Sequence, residues 1–225
     1  IIYNNALNRG RINFTLGHEF GHYLMHRVAY PNGFKCSVED MASWESEYGQ
    51  REHEANIFAS TLLMPLDDFR AQVEDKKQPC LDEMGHCANR YEVSLIAAIL
   101  KWLQYTTRRT VLVVSRDGFI LWARSSKAAL KTRLYYKIRN RDPIEIPNNS
   151  LAANITELNS SAGSRELDES AWLSNPCTEH VIVSDQYEFT ISLLHFGDAE
   201  RNFEILEEPV EDVVDRMTTT KFSRH

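Results

Sequence analysis

The sequence predicts an α+β chain, with a helical first part followed by a β-rich second domain. Three observations carry this. Arg11 to Arg27 and Glu47 to Leu63 run without proline through mixed apolar and polar residues, as helices do. "CLDEMGHCANRYEVSLIAAILKWLQY", Cys80 to Tyr105, reads as two helices joined near Tyr91 to Ser94. Beyond Arg108 the texture changes to runs of β-branched and aromatic residues broken by tight turns.

Taken in order, the first helix carries Gly17 and Gly21 four apart on one side, which permits close packing against a neighbour. Phe14, Leu16, Phe20, Tyr23, Leu24 and Met25 make it apolar around most of its girth, so it is expected to be buried. "YPNGF", Tyr30 to Phe34, marks a loop, and the second helix stops at Pro65. Thr110 to Ala123 is a strand, a tight turn and a strand, and His180 to Phe196 repeats the pattern. Gly118, Phe119 and Trp122 are assigned to turn and core. The polar stretch from Asn148 to Ser170 between them reads as a long excursion. "IIYN", at the start, is β-prone and could end an edge strand along which an extended substrate lies.

Composition sets limits. With 225 residues the chain can bury a sizeable core. A formal net charge of -7 argues against a general nucleic-acid binder. Charge is unevenly placed, however: Arg124 to Arg141 holds seven basic residues, and Glu204 to Asp215 six acidic ones. A solvated face is the simpler reading of each, with the basic run a candidate for docking an acidic partner or DNA. Cys36, Cys80, Cys87 and Cys177 show no CxxC spacing and are too sparse for a disulfide framework, which fits a reducing cytoplasm. No stretch approaches the roughly eighteen consecutive apolar residues needed to span a bilayer. The chain opens at Ile1 without methionine, so further residues are expected before it.

The chemistry lies in "INFTLGHEFGHYLMH", Ile12 to His26. His18-Glu19-Phe20-Gly21-His22 is an HExxH sequence. At about 100° per residue, positions four apart point nearly the same way, so both imidazoles can reach one metal ion. Glu19 lies at the edge of that face, placed to take a proton from an activated water. Given eight histidines and twenty glutamates, roughly 0.025 accidental matches are expected in a chain of this composition, so a core helix with satisfied histidines is the weaker reading. His26 continues the spacing, but eight helical residues advance about 12 Å, too far for His18 and His26 to share an ion. It is expected to be a supporting or surface group.

A third ligand is sought in "REHEANIFASTLLMP", Arg51 to Pro65, where Glu52 and Glu54 compete. Glu52 shares its face with Ala55, Asn56, Ala59 and Leu63, small enough in part to lie close against the first helix. Glu54 points with Ile57, Phe58 and Thr61 to the far side. Helical phase therefore favours Glu52, with Asn56 one turn on to hydrogen-bond a ligand histidine's other ring nitrogen.

"FTLGHEFGHYLMH" followed by "ExxANxFAxxLLMP", Glu52 to Pro65, closely resembles the ImmA/IrrE family of zinc metallo-endopeptidases over roughly residues 1 to 66. The resemblance implies a zincin-like helical domain, a Zn²⁺ site of His18, His22 and Glu52, and Glu19 as catalytic base and acid. It also implies a cytoplasmic protein whose substrate is a helix-turn-helix repressor or antitoxin, cleaved to release gene expression, often under stress. Such proteins carry a helix-turn-helix-like segment and a GAF-like domain after the peptidase. The corresponding division here is a peptidase domain over 1–79, a helical bridge over 80–107, a β-rich regulatory or docking domain over 108–207 and an acidic tail over 208–225.

The remaining candidates read as structural. Cys80, His86 and Cys87 lack the paired spacing of a metal site. The helix pair at Arg90 to Lys101 has Glu92 as its one ionic residue between those ends, whereas a DNA-reading helix wants Arg, Lys, Asn or Gln; a bracing role fits better. Tyr48 and His53 are weak candidates for stabilising an oxyanion. A non-proteolytic, partner-binding regulator that retains the metal is the alternative function, and the intact Glu19 weakens it.

Overall fold

The computed structural model describes residues 9–29, 47–137, 142–158, 160–184 and 189–198, without the side chains of residues 47 and 48. Cys36, Arg139, Arg141, the opening "IIYN", the loop at Tyr30 to Phe34 and the acidic run from Glu204 lie outside them. The described chain is α+β. Five helices come first: α1 (Arg9–Met25), α2 (Glu47–Leu63), α3 (Leu66–Gln72), α4 (Leu81–Arg90) and α5 (Leu95–Leu103). There follow β1 (Thr110–Arg116), β2 (Phe119–Ser125), a short α6 (Lys127–Lys131), β3 (Ala162–Leu167), β4 (Cys177–Ser184) and β5 (Phe189–Phe196).

Two compact units result. One comprises the described residues through Phe69 together with Asn89–Ser94; the other comprises Arg70–Ala88 and the described residues from Leu95 onward.

In the first unit α1 and α2 pack through small residues. Gly17 and Gly21 are the buried positions of α1, and Ala55 and Ala59 are fully buried opposite them. A Cβ at Gly17 would lie 3.3 Å from the Ala59 Cβ; at Gly21 it would lie 3.3 Å from the Ala55 Cα and 3.1 Å from the Phe58 ring. Glycine is what lets the two backbones approach this closely. The expected full burial of α1 is corrected: Phe20, Tyr23, Leu24 and Met25 are 41% to 52% exposed. Only one face of the helix meets α2, and apolar composition alone does not say which faces are covered.

The α4–α5 turn belongs to this unit and ties it together. Arg9 pairs with Glu92 at 3.0 Å, and Asn13 donates to the Glu92 carbonyl and carboxylate, each at 3.3 Å. Gly10 sits against the Val93 backbone, where a Cβ would be only 2.9 Å away. Asp68 accepts from the Tyr91 hydroxyl at 2.6 Å and from Arg90 at 3.2 Å, while the Tyr91 ring stacks on Phe69. Burial, reinforced by the bond to Asp68, pushes the Tyr91 hydroxyl up to about 12. Helix α3 was not expected. Its signals are Pro65 ahead of the helix and Asp67 and Asp68 in its first turn, where acidic groups suit the helix dipole.

In the second unit the strands form one antiparallel sheet in the order β2-β1-β5-β4-β3. Strands β1 and β5 lie inside the sheet and each is buried on both faces, with Thr110, Ser115, Thr190, Ser192 and His195 buried among their apolar residues. Asp117 and Gly118, both at positive φ (52° and 82°), make the two-residue turn between β1 and β2. The turn role assigned to Gly118 therefore stands, while the core role of Phe119 is corrected: it is 40% exposed on the edge strand β2. One core gathers Val111, Val113, Ile120, Leu134, Trp172, Val181, Leu194 and Phe196. Strand β3, "AGSREL", falls inside the stretch expected to be an excursion; its alternating polar residues gave no apolar signal, because it is the outer strand of the sheet.

His195 and Glu179 are among the buried polar groups of the second unit. His195 donates from Nε2 to the Pro79 carbonyl at 3.0 Å and accepts at Nδ1 from the Thr110 hydroxyl at 3.2 Å. Glu179, fully buried, accepts from the Leu151 N–H at 2.8 Å and the Ser192 hydroxyl at 3.1 Å. Among the described residues no helix is long and apolar enough to cross a membrane.

Candidate metal centre

The contact between α1 and α2 creates the site. Because Gly17 and Gly21 bring the helices close, His18 and His22, one turn apart on α1, face Glu52 on α2. The His18 and His22 Nε2 atoms stand 3.0 Å apart. Glu52 reaches His18 Nε2 with Oε2 at 3.2 Å and His22 Nε2 with Oε1 at 3.1 Å. All three side chains are partly buried, and together they could hold a metal ion.

The hydrogen bonds behind the rings fix what those atoms present. His18 Nδ1 lies 2.9 Å from Asn56 Oδ1. An amide oxygen only accepts, so His18 carries its hydrogen on Nδ1 and offers a lone pair at Nε2. His22 Nδ1 lies 2.9 Å from His26 Nδ1, and His26 Nε2 lies 2.9 Å from Glu54 Oε2. Burial lowers the proton affinity of His22, with His18 and His26 adding to the shift and the Glu52 and Glu19 carboxylates opposing it. A neutral His22 keeps a lone pair as well. Two imidazole lone pairs and a carboxylate aimed at one point repel one another unless a cation lies between them. Their 3.0–3.2 Å spacing suits donors that each reach one ion at about 2.0–2.1 Å.

The expected residues are therefore placed as follows. His18, His22 and Glu52 converge, and Asn56 makes the hydrogen bond expected of it. Glu19 is exposed on α1 and its charge acts on His22. His26 is not in the cluster; it is buried behind His22, with 6% of its surface exposed. Glu54 is likewise outside the cluster, yet it is connected to His22 through His26, a connection the helical phase of α2 alone could not reveal. His53 stands outside the cluster on α2, and the Tyr48 side chain lies outside the described residues. Among the described residues Cys80, His86 and Cys87 form no metal-holding group.

Residues 1–103 match the profile of peptidase family M78, the IrrE N-terminal-like domain, which supports an ImmA/IrrE family peptidase. No curated protein matches the chain.

Proposed function

We propose that the chain is a zinc-dependent endopeptidase of narrow specificity. The observation that carries this is the convergence of His18 and His22, on the HExxH helix α1, with Glu52 on α2, each histidine held from behind by a hydrogen bond at Nδ1. Two neutral imidazoles and one carboxylate are the donor set of a catalytic zinc that keeps a position open. A bound Zn²⁺ would act as a Lewis acid, polarising the scissile carbonyl and acidifying water. Glu19, exposed beside His22, then accepts the proton of the attacking water on its carboxylate and returns it to the leaving amine.

The substrate in this reading is a helix-turn-helix repressor or antitoxin, cleaved to release gene expression, in the cytoplasm. The half-exposed Phe20, Tyr23 and Leu24 on the site-bearing helix suit a protein surface rather than a small molecule. The helical part serves as a zincin-like catalytic domain, and the five-stranded sheet as the GAF-like regulatory or docking domain.

The experiment is a proteome-wide comparison of new protein N-termini between cells carrying the wild-type protein and Glu19→Gln. One or a few termini found only with the wild type, in a DNA-binding repressor or antitoxin, are expected. Matching profiles under stress and non-stress conditions alike would favour the non-proteolytic regulator.

A further inference from the structure

His26 and Glu54 have no part in holding a metal directly, yet both lie on one line with a donor of the site. His26 follows the last turn of α1, its N–H donating to the His22 carbonyl at 2.9 Å. That bond carries the helical geometry one residue past Met25 and brings the His26 ring beneath His22, with ring centroids 5.1 Å apart. On its other side the ring meets Glu54, which reaches across from α2 although its own side chain is 58% exposed.

The polarity of this line has one solution when both rings are neutral. The Glu54 carboxylate only accepts, so His26 carries its hydrogen on Nε2. The His26 Nδ1 is then a lone pair, so His22 must donate to it from Nδ1. With its hydrogen there, His22 has a lone pair at Nε2, the atom that faces Glu52 and His18. In the reverse polarity His22 Nε2 would carry hydrogen and Glu52 would accept it, leaving no lone pair for a cation.

The geometry points to His26 and Glu54 as a positioning pair: Glu54, acting through His26, orients the His22 ring and fixes its tautomer so that Nε2 is presented to the metal. This inference rests on the reading of His18, His22 and Glu52 as a metal site. It gives the two ligand histidines different supports. His18 is held by one neutral amide from α2, and His22 by a two-member chain that ends on a carboxylate at the surface. Ligand-orienting groups of this kind contribute about 10–100-fold to metal affinity.

The test uses the full chain and zinc alone, with affinity read by competition against a chelating indicator and folding by thermal melt. Glu54→Ala and His26→Leu are expected to weaken zinc binding by about 10–100-fold. Glu54→Gln keeps an oxygen that accepts from His26, and His26→Asn places Oδ1 where the imidazole Nδ1 lies; each is expected to stay within about threefold of the wild type. In the zinc-loaded protein labelled with ¹⁵N-histidine, His22 Nδ1 and His26 Nε2 should carry hydrogens and His26 Nδ1 should not. Should His26→Leu fail to fold, Glu54→Ala decides, since it changes a half-exposed side chain. Zinc binding unchanged in Glu54→Ala, or a hydrogen on His26 Nδ1, overturns the inference while leaving the metal site intact. Absence of zinc binding by the wild-type protein would instead remove the metal site, and the inference with it.

Discussion

The ring of His18 on α1 and the side-chain amide of Asn56 on α2 meet at 2.9 Å, so the helix that supplies a carboxylate to the cluster also sets the tautomer of a histidine it faces. Asn56 lies one turn beyond Glu52, and both functions come from one face of α2.

Replacing Asn56 should therefore act on the metal rather than on the fold. Asn56→Leu is expected to weaken zinc binding by about 10–100-fold, whereas Asn56→Asp retains an acceptor and most of the affinity. Competition with a chelating indicator measures both. Equal affinity in the leucine variant would show that the bond is incidental.

Glu52 and Glu19 should separate cleanly. Glu52→Ala is expected to purify without metal, because two imidazoles alone make a poor zinc site. Glu19→Gln is expected to retain zinc at wild-type stoichiometry and to lose cleavage by about 10²–10⁴-fold, the span of a general base's contribution. Elemental analysis of both purified proteins, together with cleavage assays, distinguishes the roles. Loss of metal from the Glu19 variant would place that residue among the ligands instead.

Gly21→Val should be costly well beyond the helix propensity of the two residues. Its Cβ would meet the Ala55 backbone at 3.3 Å and the Phe58 ring at 3.1 Å, and the added methyls have nowhere to go without separating α1 from α2. Overpacking of this kind costs about 1–3 kcal/mol. Since the same separation pulls Glu52 away from His22, reduced zinc affinity should accompany the lower melting temperature. A variant that melts lower but binds zinc as before would uncouple packing from the site.

Stability of the second unit should depend on pH through His195. Burial holds this imidazole down to about 4, the Pro79 carbonyl opposing in part, whereas an unfolded histidine titrates near 6.5. Between those values the unfolded chain binds a proton that the native one does not. The contribution is complete above about pH 6.5 and is lost progressively as pH falls toward 4, reaching about 3 kcal/mol. Urea unfolding of the wild type and His195→Gln at pH 7 and pH 4.5 isolates the effect, because other titrating groups cancel in the comparison. Parallel loss of stability in both proteins would assign the acid sensitivity elsewhere.

Much of the site was legible in the sequence because it is written in local spacing. His18 and His22 are one helical turn apart, and Glu52, Asn56, Ala55 and Ala59 share a helical face, so phase alone chose Glu52 over Glu54. The bounds of α2 and the division of Cys80 to Tyr105 into two helices were readable for the same reason, as proline, turn residues and periodicity act within a few positions. The apolar load of α1 misled: composition gives what a helix could bury, and only a neighbour decides which side it does bury.

The sequence by itself determined the α+β class, the HExxH spacing and the identity of the three converging side chains. Tertiary structure alone decided how they are held. Helical phase sets Glu54 apart from Glu52, and spacing puts His26 too far along to share an ion with His18, so each is dismissed by any argument confined to one helix, although Glu54 meets His26 just past α1 and Phe58 meets α1 itself. Packing α2 against α1 at glycine distance brings the Glu54 carboxylate to the His26 ring, and that ring to the back of His22. A hydrogen-bond chain that crosses between helices depends on their separation and rotation, which no spacing within either helix encodes.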